Sequence, residues 1–154
     1  MSTFVKGGSV TTPFGRNEFL RSTRDVKTDS WTFAASSILA RTIDGTSQKI
    51  LQPGTVLAKI TSGGESGKVG PYSSDTVGVT DGRSTTANII GLCMTFLPWQ
   101  LLERDVEVSC VYQCTAVQAW CLYYTLAGGA TPVALDNTTA DLMRGGKRMQ
   151  INFV

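Results

Sequence analysis

From Trp31 onward, apolar and polar side chains exchange places every second residue in short runs that turn residues keep interrupting, a rhythm of strands rather than of helices. The stretch TFAASSILARTIDG after Trp31 is compatible both with a short helix capped by Asp29 or Ser30 and with a strand, and is assigned to strand. KILQPGTVLAKITSGG, KVGPYSSDTVGV and TDGRSTTANIIGLCMTFL then follow as strand-like runs. Pro53-Gly54 and Asp81-Gly82 are the clearest turns, since proline presets φ and glycine accepts the positive φ that a type II turn requires. Val56, Ala58 and Ile60 alternate with Leu57, Lys59 and Thr61, so the second face is expected to be partly wet. In DVEVSCVYQCTAVQAWCLYYTL, Val106, Val108, Cys110 and Tyr112 share one parity and Glu107, Ser109 and Val111 the other. A further strand over Gln118–Leu126 puts Trp120, Leu122 and Tyr124 on one face and Cys121 and Tyr123 on the other. Both faces are apolar, and another subunit is one way to cover them. Trp99, Tyr112, Trp120 and Tyr123 are the aromatic candidates for that interface. After the breaker GGATPVALD, NTTADLMR predicts one short helical turn and KRMQINFV a closing strand. The fold class expected is mainly β: a small barrel- or sandwich-like body with little helix.

Residues 1–30 have a different texture. Lys6, Arg16, Arg21, Arg24 and Lys27 stand against Glu18, Asp25 and Asp29, while Gly7, Gly8, Pro13 and Gly15 break any period. The segment is read as an N-terminal arm on a body formed by 31–154, extended or disordered in isolation. Its isolated apolar anchors, Phe4, Val5, Phe14, Phe19 and Leu20, are more than a solvated tail needs, which points to an arm that docks on a partner. On this reading, removing Ser2–Lys27 leaves the stability of the body nearly unchanged.

Composition changes the picture mainly by exclusion. Charged residues are 17% of the 154, below the usual ~25%, with Gly, Ser and Thr in their place, as suits strands and turns. A net charge of +2 leaves no polybasic footprint, so nucleic acid is not expected as a direct partner. Neither a membrane-spanning apolar run nor a signal-peptide core is found, and a protein made and kept in the cytosol is expected. There is no histidine, which removes Ser-His-Asp and Cys-His nucleophiles and the usual proton shuttle. Glu103, Asp105 and Glu107 sit around a strand entry where solvated charge is ordinary, and SGGESGK matches neither phosphate-binding glycine motif. Cys93, Cys110, Cys114 and Cys121 form no C-x-x-C pair; a four-thiolate zinc site is arithmetically open, but small buried thiols are the reading adopted. No catalytic residue, metal or cofactor is expected.

Within residues 50–92, Gly54-Thr55-Val56-Leu57, Pro71-Tyr72, Asp81-Gly82, Thr86-Ala87 and Ile89-Ile90-Gly91-Leu92 stand in an order and spacing that resembles the lambda-type head decoration proteins of tailed phages. The resemblance covers about a quarter to a third of the chain. It implies a β-rich homotrimer seated at threefold or quasi-threefold positions on the outside of the capsid, cementing the expanded head. The arm would then pair with the major capsid protein, with Phe4, Val5, Phe14, Arg16, Phe19, Arg21 and Arg24 as its contact residues. The stretch after residue 104 is longer and more hydrophobic than in the smallest members of that family. A carbohydrate-binding or adhesion β domain of a head fibre or tail structure is the competing expectation, for which Trp31, Trp99 and Trp120 are equally natural.

Overall fold

A computed structural model of the chain describes residues 19–125, 131–144 and 149–154. Ten strands organise it: β1 (Lys27–Phe33), β2 (Arg41–Ile43), β3 (Thr46–Gln48), β4 (Val56–Lys59), β5 (Val69–Pro71), β6 (Ile89–Cys93), β7 (Val106–Ala116), β8 (Leu122–Thr125), β9 (Thr131–Ala134) and β10 (Gln150–Phe153). The one α-helix among the described residues, α1, covers Asn137–Arg144. The mainly β class expected from the alternation is therefore the class observed. No helix among the described residues is long and apolar enough to cross a membrane.

Five strands close on themselves. The order is β1-β5-β4-β6-β7, and β1 pairs with β7 as well as with β5, making a ring; β10 extends β7 beyond β6. β1 lies antiparallel to β7 along its whole length but meets β5 through a single pair, Phe33 with Val69. Each strand of the ring sends side chains into one buried cluster, Phe33, Val69, Leu57, Cys93, Val108 and Cys110, which fills the barrel. The 3-10 turns Ala35–Ser37 and Gln100–Leu102, with Ile38, Leu51, Leu97 and Leu101, plug one end. A second core lies outside the barrel wall. Val56, Ala58, Leu92, Val111, Ile151 and Phe153 face it, and Phe19, Tyr72, Tyr123, Leu135, Ala140 and Met143 cover it.

Two bulges make this double coverage possible. In the β1–β7 ladder Val111 faces Thr28 and Gln113 faces Lys27, so Tyr112 is the extra residue. Before it, Val108 and Cys110 point into the barrel; after it, Cys114 and Ala116, of the same parity, turn to the outer core. Opposite β4, Gly91 pairs with Leu57 and Ile89 with Ala58, leaving Ile90 extra. Gly91 carries φ +150°, and a Cβ there would lie 2.1 Å from the Val111 carbonyl oxygen, so only glycine fits where β6 crosses β7.

Several expectations are corrected. The arm boundary at residue 30 falls inside β1. Upstream of it, Phe19 is buried, Leu20 bridges to Ala116, and the Arg21 amide donates to the Thr115 carbonyl at 2.8 Å, so 19–30 belong to the body. The stretch after Trp31 is part strand and part 3-10 turn rather than one strand. Leu57 is fully buried, because the second face of β4 is the barrel interior, and only Lys59 and Thr61 reach water there. Gln118–Trp120 forms a 3-10 turn, which holds Trp120 off the strand expected to carry it. The supposed breaker contains β9, which pairs antiparallel with β8. At Pro53-Gly54 the turn is as expected, with Gly54 at φ +85° and the Thr55 amide donating to the Gln52 carbonyl at 3.3 Å.

Candidate interaction surfaces

The ladder directions put the starts of β1, β5 and β6 and the ends of β4 and β7 at the same barrel end, opposite the plug. A pocket of about 350 Å³ opens there, lined by Asp29, Trp31, Lys59, Ile89, Ile90 and Tyr112. Asp29 and Trp31 share the inward parity of β1, Lys59 that of β4, and Ile90 and Tyr112 are the two bulge residues. The Lys59 ammonium stands over the Trp31 ring, 4.8 Å from its centroid.

A second concavity, of about 550 Å³, lies where the chain enters the body. Ser22, Arg24 and Asp25 form one wall, and Gln113, Cys114, Thr115, Gln150 and Asn152 of β7 and β10 the other. The lining is almost wholly polar, and β10 is the last strand of its sheet.

Of the expected capsid-contact residues, Phe4, Val5, Phe14 and Arg16 lie outside the described residues. Phe19 is 2% exposed and holds the outer core, so it is not free to meet a partner; Arg21 and Arg24 are exposed, and Arg24 lines the groove. The four aromatic candidates part company. Trp99 and Trp120 are 51% and 56% exposed, Tyr112 is half-buried in the barrel-end pocket, and Tyr123 is 8% exposed. Tyr123 packs near Tyr72, with ring centroids 6.3 Å apart, and donates its hydroxyl to Asp136 at 3.1 Å. It is thus a residue of the chain's own core. Leu102, also exposed, shares the 3-10 segment that follows Trp99.

Charge inside the body works as fastening. Arg83, buried, holds Asp81 through Nε at 2.8 Å and donates Nη1 to the carbonyl oxygens of Ser37 at 2.7 Å and Pro71 at 3.4 Å, tying together a loop, a 3-10 turn and the end of β5. Lys68 bridges Glu65 and Asp105, and Asp105 also accepts the Ala35 amide at 2.8 Å. The Lys68 hydrogen bond, then the Ala35 amide, hold the Asp105 carboxyl below the usual range. Asp136 caps α1 by accepting the Thr139 amide at 2.7 Å. Burial opposes ionisation of its carboxyl, but the hydrogen bonds from Thr139 and Tyr123 outweigh that and set it low.

All four cysteines are buried free thiols, as the reading of them as small apolar residues expects. Burial pushes Cys93 and Cys121 up to about 12 and Cys114 to about 11, and raises Cys110 too. No group of three or more His, Cys, Asp or Glu side chains among the described residues is arranged to hold a metal ion.

Sequence reasoning missed the barrel-end pocket. Lys59 was assigned to a wet face, and the inward turn of Asp29 and Trp31 is visible only once β1 is known to begin at Lys27. The usable signal was the glycine at 91 inside an apolar strand run, which marks a bulge. No protein-family model matches the chain, and no curated protein matches it in sequence.

Proposed function

We propose that the protein is a structural virion component that binds the outer surface of a tailed-phage head as a trimer and reinforces the shell, with the major capsid protein as its partner. The observation that carries this reading is the manner in which the N-terminal chain joins the body. At Phe19–Arg21 the chain is locked to the end of β7, immediately beside a polar groove and the edge strand β10. A segment anchored so firmly at its base can transmit binding at its far end to the barrel. An extended segment adding to a sheet edge gains main-chain hydrogen bonds, with side chains setting register. Three such segments on a trimer raise the effective concentration of one another, so modest individual affinity becomes durable attachment. The resemblance of residues 50–92 supports the same reading, since that run builds β4, β5 and β6 of the barrel. Trp99 with Leu102 and Trp120 offer exposed apolar anchors for contacts between subunits.

The test is decoration of purified expanded heads, followed by co-sedimentation. The full chain should saturate the heads, and a chain lacking residues 2–18, which retains the described body, should bind at least about a hundredfold more weakly. Equal binding by the two would move attachment to the barrel. Binding by neither would sink the proposal.

A further inference from the structure

The pocket at the open end of the barrel has features that attachment to a capsid does not use. Three residues with polar side chains line it, Asp29, Lys59 and Tyr112, and the Lys59 ammonium stands over the Trp31 ring in its wall. Among the described residues none of the three has a hydrogen-bond or ion-pair partner, and Asp29 and Lys59, although of opposite charge, do not pair with each other. The rest of the lining is apolar: the Trp31 indole, Ile89 and Ile90. The site is also rigidly built. β1 is paired throughout to β7, and the bulges that deliver Ile90 and Tyr112 are fixed by the ladder and by Gly91.

From this geometry we infer that the barrel end is a binding site for a neutral saccharide residue. Each sugar hydroxyl both donates and accepts, so one ligand can donate to Asp29 and accept from Lys59 while its C–H face packs on the aromatic rings. A singly charged ligand would satisfy one of the two charges and be repelled by the other. The volume, about 350 Å³, sits at the small end of the range of roughly 300–1,000 Å³ usual for ligand pockets, room for one sugar unit rather than a long chain. Trp31 and Lys59 are already held against each other, so little ordering is left to binding.

The experiment is saturation-transfer NMR on the full chain with glucose, galactose and N-acetylglucosamine as probes, and with acetate and phenylalanine as charged and zwitterionic controls. At least one sugar should receive transfer and neither control should. Lys59→Met and Asp29→Asn, each checked by its melting curve, should weaken that binding by about tenfold or more, the loss expected when a hydrogen bond to a charged group is removed. Trp31→Ala should do the same, whereas Trp99→Ala and Trp120→Ala should leave it unchanged. Absence of transfer to every sugar, binding that survives Lys59→Met and Asp29→Asn, or binding of acetate or phenylalanine in place of sugar would overturn the assignment. A chain that decorates heads and binds no sugar would sink this inference and leave the proposed function standing.

Discussion

Arg83 shows how much one side chain can hold in a body so rich in loops. Its guanidinium joins the loop carrying Asp81, the 3-10 turn ending at Ser37 and the strand ending at Pro71. Gly70 has room only for hydrogen beside it, since a Cβ there would lie 2.7 Å from Arg83 Cδ and 2.4 Å from Ser37 Oγ. Arg83→Met keeps the stem and removes every donor, leaving the buried Ser37 carbonyl oxygen without its bond. A loss of about 2–4 kcal/mol in denaturant unfolding is expected, because an unsatisfied buried acceptor costs about 1–3 kcal/mol and the pair with Asp81 adds to it. Asp81→Asn should cost less, since Asp81 is partly in water and the amide oxygen can still accept. The turn at Asp81-Gly82 was legible in the sequence; the burial of the arginine beside it was not, because local chemistry marks a turn while distant carbonyls decide where a long side chain goes.

The two bulges separate what alternation can reveal from what it cannot. Reading β7 as one strand of fixed parity places Cys110, Tyr112 and Cys114 on one face, whereas the extra residue at Tyr112 sends Cys110 into the barrel and Cys114 to the outer core. A one-residue slip inverts every later side chain, so the strand was legible and its faces were not. The start of β1 failed for a related reason: Lys27, Asp29 and Ser30 read as part of an extended docking arm, yet they form a strand of the body because β7 supplies the ladder. The boundary of the body follows from this and can be measured. A chain beginning at Lys27 loses Phe19, which is almost wholly buried, together with the bonds of Phe19–Arg21 to β7. It should be destabilised by about 3–5 kcal/mol, the usual cost of removing a buried phenylalanine, seen as a lowered melting temperature. A chain beginning at Phe19 should melt with the full-length protein.

At the scale of the whole molecule, two cores separated by one barrel wall bury four thiols and three of the tyrosines. In the fold the thiols stay neutral well above the ordinary value of 9.0. Their folded values are raised, so the stability they contribute is complete below about pH 9 and is lost as pH climbs through 11 to 12. Between about pH 9 and those raised values the unfolding free energy should fall by about 1.4 kcal/mol per pH unit for each thiol that ionises only on unfolding, seen as a steeply falling melting temperature. Cys121→Ala should flatten the slope by one group; a slope unchanged in that variant would mean the thiol is already exposed. Composition and alternation made the β class readable, but closure of the ring was not, because it depends on β1 reaching β5 and β7 together across long sequence separations. That closure is lopsided: β1 is zipped to β7 over its length and tacked to β5 at one residue pair. Tension drawn through the N-terminus therefore meets first the bonds of Phe19–Arg21 to the end of β7 and then the β1–β7 ladder, so it passes into β7 at both points. The β1–β5 seam lies off this path, so a protein tethered by its N-terminus can be pulled without having its barrel peeled open.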